Sequence, residues 1–120
     1  MSSNSRNLHI VTGEGEEERY AAIRRIVETL PENMSIRGMF NEPMLPVKRV
    51  HQHPVDPSDD KIRLLSSVIR LEPDCLIIEP ITTKVELGYF ARRADLWDIT
   101  IIASVDVSLM DALRHYQNFR

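Results

Sequence analysis

The sequence predicts an α/β fold: a three-layer αβα arrangement around a mostly parallel sheet of four strands. Three observations carry that expectation. In the stretch Ile62 to Ile81, IRLLSSVIRLEPDCLIIEPI, the residues Ile62, Leu65, Val68 and Ile69 recur at helical spacing. After Glu72-Pro73-Asp74, residues Cys75 to Ile78 are apolar without polar alternation, which is the pattern of a strand covered on both faces. The same order of strand, turn and helix opens the chain, and another short apolar run, Ile99 to Ala103, follows a further helical segment.

Residues 1–7, MSSNSRN, read as a flexible polar N-terminus without the apolar stretch of a signal peptide, and residues 8–120 as a single domain. Leu8 to Val11 is the first strand. Thr12-Gly13-Glu14-Gly15 turns into a helix from Glu16 to Leu30, with Tyr20, Ile23, Ile26, Val27 and Leu30 on its inner face. Pro31-Glu32-Asn33 forms a turn before a second strand within Met34 to Phe40, paired from Ile36 to Phe40. Pro43 to Pro57 is a proline-rich excursion, read as an exposed loop with Val47 to Val50 briefly extended. Ser58-Asp59-Asp60 supplies the N-cap of the next helix, and Pro73 stops it. A helix from Thr82 to Leu96 is expected to face inward with Val85, Tyr89, Phe90 and Leu96. Trp97-Asp98 ends it. Beyond the Ile99 to Ala103 strand, Ser108 and Asp111 form a capping pair for a last helix facing inward with Leu109, Leu113 and Tyr116.

Composition narrows the function classes. With 42% hydrophobic and 28% charged residues and a formal net charge of -3, the chain has the make-up of an ordinary globular protein. It lacks the polybasic footprint of a nucleic-acid or membrane-surface binder, and no segment approaches the ~20 apolar residues of a membrane span. Cys75 has no partner for an internal disulfide and reads as a small core residue in a reducing, cytoplasmic compartment. His51 and His53 fall on one side of an extended segment, where two imidazoles could share a metal, but no third ligand is nearby. His9 and His115 have no partners at recognisable spacing, so no metal site is expected.

Val68 to Pro80, VIRLEPDCLIIEP, resembles the Walker B region of the type II secretion and type IV pilus motor ATPases, in which Leu-Arg-x-Asp-Pro-Asp is followed by four apolar residues and Gly-Glu. Val11-Thr12-Gly13 resembles the start of that family's phosphate-binding loop, and Asn41-Glu42-Pro43 its Glu-Asp-Pro. Gln52 stands at the family's excursion glutamine, and Asp111-Ala112-Leu113-Arg114 resembles its Ala-(Ile/Leu)-x-Arg helix. Arg92 and Arg93 come from the region of the family's oligomer interface, but two arginines on a solvated helix face are the simpler reading and the one expected here. The resemblance runs from Leu8 to Tyr116. It implies a RecA-like P-loop NTPase core with its strands in the order first, fourth, third, second. A receiver domain would instead set the first strand between the second and third.

The signature residues of that family are missing. Its Gly and catalytic Glu fall on Glu79 and Pro80, Val105 replaces its histidine, and the turn Thr12, Gly13, Glu14, Gly15 has neither the Lys nor the Ser/Thr of a phosphate loop. Glu14, Glu16, Glu17 and Glu18 stand there instead. Each gains roughly 0.3–1 kcal/mol from the helix dipole, whereas a phosphate 4 Å from one of them meets about 4 kcal/mol of repulsion at an effective dielectric of 20. The expected function is therefore a non-catalytic interaction or scaffold module, pairing with itself or with a related secretion or pilus ATPase, with no metal and no cofactor. A residual ATP-binding protein or weak ATPase is the alternative. In it Glu79 would serve as general base, Thr12 and Gly13 would touch phosphate, and ATP and magnesium would be the cofactors. A receiver-like regulatory domain is a further alternative, needing clustered acids at strand ends where only Glu14 and Glu79 are candidates.

Overall fold

Apolar residues at strand and helix periods settle the architecture. The computed structural model describes residues 8–40, 49–56, 60–107 and 109. In chain order these form β1 (Leu8–Gly13), α1 (Glu16–Thr29), β2 (Ile36–Phe40), β3 (Val50–Pro54), α2 (Lys61–Ile69), β4 (Cys75–Ile81), α3 (Lys84–Trp97) and β5 (Thr100–Asp106). The strands make one five-stranded sheet, β1-β5-β4-β2-β3, in which every pairing is parallel. The four expected strands thus occur in the expected order, and β1 lies at an edge rather than in the middle.

The sheet has one strand more than the sequence predicts. Part of the proline-rich excursion pairs with β2 in register Ile36↔Val50 to Phe40↔Pro54. Val50 and Val55 are buried, and the Val55 N–H donates to the Phe40 carbonyl at 2.8 Å. A segment read as loop is therefore an edge strand, because its apolar ends anchor it and its middle, His51-Gln52-His53, can face outward.

Side chains alternate between two cores, one on each face of the sheet. Tyr20, Ile23 and Val27 of α1 pack with Val11, Ile36, Phe40, Cys75, Ile77 and Ile102. On the other face Leu65 and Val68 of α2 and Leu87, Phe90 and Ala94 of α3 pack with Met39, Leu76, Ile78, Ile101 and Ala103. β4 is buried along its whole length except at Pro80, as a central parallel strand must be. Cys75 is fully buried in it, and burial pushes its thiol up to about 12, so it is a core residue.

Long-range polar contacts fix the ends of the elements. Asp74 aligns β2 with β4: its carboxylate accepts from the Ser35 N–H at 2.9 Å, and its own N–H and that of Cys75 donate to the Ser35 carbonyl. α1 has no basic residue in its last turn. Arg49 replaces one from a distance, donating to the carbonyls of Val27 (2.7 Å), Leu30 (3.0 Å) and Pro31. Asp60 is the residue of the expected capping trio that caps α2, accepting from the Ile62 N–H at 3.0 Å. Thr83 caps α3, accepting from the Glu86 N–H at 3.1 Å, while Glu86 accepts from the Thr82 N–H at 3.2 Å.

Burial along α3 bears out Tyr89 and Phe90 of the predicted inner face and corrects Val85 and Leu96. Val85 and Leu96 are 75% and 69% exposed, whereas Leu87, Phe90 and Ala94 are buried and Tyr89 and Trp97 pack partly against them. Positions 87, 90, 94 and 97 form the true helical stripe; 85 and 96 lie on the opposite side. The expectations for Asn41-Glu42-Pro43, for Ser58 and Asp59, and for the last helix with Ser108, Asp111, Leu113, Arg114, His115 and Tyr116 fall outside the described residues. Among the described residues no helix is long and apolar enough to cross a membrane.

Gly38 shows how tightly the α1 face is packed. A Cβ there would lie 2.3 Å from Phe40 Cε2, and the Phe40 ring is itself held edge-on to Tyr20 with centroids 5.9 Å apart. Gly38→Ala should therefore destabilise the protein by about 1–3 kcal/mol in urea unfolding. Gly38→Ala combined with Phe40→Leu should be less destabilised than the sum of the two single variants. A Gly38→Ala protein as stable as wild type would show that the ring is free to move.

Candidate functional site

In parallel α/β sheets ligand sites form outside the carboxyl ends of the strands, because loops and helix N-termini converge there. At that end, β1 finishes at Gly13, β4 carries Glu79 and β5 carries Ser104. Strand alternation turns Glu79 and Ser104 to the α1 face, the side of Ile77 and Ile102. The first turn of α1 brings Arg19 to meet them.

The result is a buried ion pair. Arg19 Nε donates to Glu79 Oε2 at 2.8 Å, with the two side chains only 7% and 2% exposed. Ser104 Oγ donates to the same oxygen at 3.4 Å, and Arg19 Nη1 donates to the Gly13 carbonyl at 3.4 Å. Tyr20, also buried, gives its hydroxyl to Glu16 Oε2 at 3.2 Å. Burial and the nearby Glu79 and Glu16 carboxylates push the Tyr20 phenol well above its ordinary value, so it stays a neutral donor. Burial likewise raises the Glu79 carboxyl, and the Arg19 bond and charge pull it back only in part.

The residues at the degenerate phosphate-loop position, Thr12 to Gly15, form no cradle beside this pair. Thr12 is exposed, and Gly13 is half-buried under α1. A Cβ at Gly13 would lie 2.8 Å from Glu18 Cβ and 3.3 Å from Arg19 Cγ, so only glycine allows the helix start to sit this close. The Glu14 N–H donates to Glu18 Oε2 at 2.7 Å, so a carboxylate of the chain itself holds a donor that an anion would otherwise take. Gly15 is the N-cap with extended backbone, φ -152°, and a Cβ there would meet nothing within 4 Å. The expected acidic helix start is present. Glu79 and Gly13 are brought together, and Thr12 and Glu14 lie outside the pair.

Other candidates are dispersed. Pro80 follows Glu79 in a cis peptide bond where the β4–β5 register shifts between Ile78 and Ile81, and Val105 is buried on the opposite face. His9 is exposed on β1, and His51 and His53 lie on β3 at the far edge. Arg92 is exposed as expected, but Arg93 lies over the Tyr89 ring at 4.4 Å and within 5.6 Å of the Trp97 centroid, so only one of the two arginines has a purely solvated surround. A hollow of ≈ 400 Å³, lined by Ile69, Glu72, Pro73, Asp74, Trp97 and Ile99, opens at the amino ends of β4 and β5, away from the ion pair. No group of three or more potential metal ligands occurs among the described residues.

Sequence reasoning missed Arg19, although a signal was present. Arg19 precedes Ile23 by four residues and shares its helical face, and an acid inside an apolar strand requires a partner. The pair makes a sharp energetic expectation. Arg19→Met leaves the Glu79 charge buried alone and should cost about 3–5 kcal/mol near neutral pH. Arg19→Met with Glu79→Leu should recover most of that loss in denaturant titration.

The pH dependence follows from the raised carboxyl. A group with a raised folded-state pKa favours folding fully below its unfolded value, 4.5, and loses that contribution as pH climbs through the folded value. Wild type should therefore lose stability relative to Glu79→Gln as pH rises from 4.5, and an unchanged difference would place the carboxyl at its ordinary value. No protein-family model matches the chain and no curated protein matches it, so the reading of this site rests on its own geometry.

Proposed function

We propose that the chain is a non-catalytic protein–protein interaction module, a cytoplasmic relative of the secretion and pilus motor ATPases whose nucleotide site has become an internal structural ion pair. One observation carries the reading: Arg19, Glu79, Ser104 and the Gly13 carbonyl satisfy one another at the carboxyl end of the sheet, and Glu18 occupies the Glu14 N–H. A general base needs contact with water or substrate. Glu79 is 1% exposed and held by a guanidinium. The strand order β1-β5-β4-β2 supports the kinship, since it is the order that the resemblance implies.

With the site closed inward, the remaining capacity to act lies on the surface. β1 pairs with β5 alone, so its outer backbone edge has no strand partner among the described residues. That edge also lacks the usual protections, since LHIVTG contains no charged residue and no proline. Ile10 on β1 is 45% exposed, and Val85 and Leu96 of the adjacent α3 are more exposed still. A second copy is the proposed occupant, because two β1 edges related by a two-fold axis can pair antiparallel and extend both sheets.

Light scattering at high micromolar concentration should give a mass above the 13.9 kDa of one chain, and Ile10→Lys should return it to that value. A monomer throughout would remove self-association and turn the search to a related ATPase by pull-down. Magnesium-ATP should leave the melting temperature unchanged, whereas a ligand at 100 times its dissociation constant would add about 2.7 kcal/mol. A clear shift at millimolar ATP would instead support a residual nucleotide binder.

A further inference from the structure

The opposite edge of the sheet carries a second unusual cation. Arg37 on β2 stands opposite His51 on β3, and His53, two residues on, falls on the same face. Arg37 Nη1 lies 3.1 Å from His53 Nε2. Since the guanidinium can only donate, that imidazole nitrogen accepts, and His53 is neutral in this contact. Burial, then the charges of Arg37 and His51, lower the His53 pKa, in agreement with the geometry.

The contact leaves the guanidinium electrically unbalanced. Arg37 forms no ion pair with an acid among the described residues, and its Nε is buried without any hydrogen-bond partner. A neutral imidazole solvates one N–H group but cancels no charge. A part-buried cation held this way gains much from an anion, and the two parallel N–H groups of a guanidinium edge match the oxygens of a carboxylate or phosphate. His51 is exposed beside it and offers a further N–H. The arrangement also argues against the metal site that the two histidines alone would allow, because Arg37 occupies the His53 nitrogen and brings positive charge to it.

We propose that Arg37, with His51 and His53 around it, forms an oxyanion-binding site at the β2–β3 edge, taking a phosphate or carboxylate group. The site is independent of the reading of the Arg19–Glu79 pair and of self-association. It lies at the other end of the strand order and uses none of those residues.

The test is a titration of the full chain with sodium phosphate against sodium chloride at matched ionic strength, near pH 7, followed by NMR of the arginine Nε–H and histidine ring signals. Saturable shifts should appear at Arg37, His51 and His53 and be absent at His9, the exposed histidine on β1. Arg37→Gln should abolish the saturation, and Arg37→Lys, which keeps the charge and loses the fork, should weaken it about tenfold. A parallel acetate titration separates the sources: saturation by phosphate alone assigns the site to phosphate groups, and saturation by both to oxyanions in general. Shifts linear in phosphate, or equal at His9 and His53, overturn the proposal without any variant having to fold. Persistence of the saturation in a folded Arg37→Gln protein also overturns it.

Discussion

The contact on which the carboxyl end of the sheet depends is the buried pair between Arg19 and Glu79. It joins the first turn of α1 to the central strand, and Ser104 ties β5 to the same carboxylate oxygen. Apolar packing holds α1 against the sheet farther down, through Ile23 and Val27. Near Gly13 the packing gives way to a polar cluster, so the position of the helix start is set by directional bonds. Such pairs seldom add net stability over an apolar replacement, but they penalise any arrangement that leaves one partner alone. The pair thus acts on specificity: Glu79 can be buried only if α1 starts where Arg19 can reach it.

The two edges of the sheet differ in chemistry as they differ in neighbours. β1 is uncharged and carries exposed Ile10, whereas β3 presents His51, Gln52 and His53 between apolar anchors. An apolar, unprotected edge favours pairing with another strand. A polar edge beside an unbalanced guanidinium favours a charged ligand. The proposed contacts therefore fall at opposite ends of one rigid sheet, where occupancy of either leaves the other accessible.

Much of this was legible in the sequence, and the boundary has physical causes. The fully apolar run at Cys75–Ile78 and the helical stripe Tyr20, Ile23 and Val27 reported burial directly, so β4 and α1 could be read. The order β1-β5-β4-β2 followed only from the family resemblance, since periodicity carries no information about neighbours. β3 was hidden because its central residues are polar and its anchors, Val50 and Val55, are five apart. On α3 the inward residues Tyr89 and Phe90 were legible, but Val85 and Leu96 are apolar yet exposed, and exposure of single apolar residues leaves no mark in sequence. Arg19 and Arg37 were read past for the opposite reason: a basic residue is by default a surface residue, and only the partners across the fold, Glu79 and His53, reveal otherwise.

The closed state of the strand ends also means that building a phosphate loop here would take more than inserting a lysine. A phosphate loop keeps backbone N–H groups free and held open until the ligand arrives, and they must not be satisfied from within. In this chain Glu18 takes the Glu14 N–H, and Arg19 is already held between Glu79 and the Gly13 carbonyl. Adding a cation would leave Glu18 in place; removing Glu18 would leave Arg19 turned inward; freeing Arg19 would strand Glu79 in the core. Each step alone is opposed by a buried charge or an occupied donor, so the arrangement is locked by the mutual dependence of a few groups. A surface role asks none of them to move.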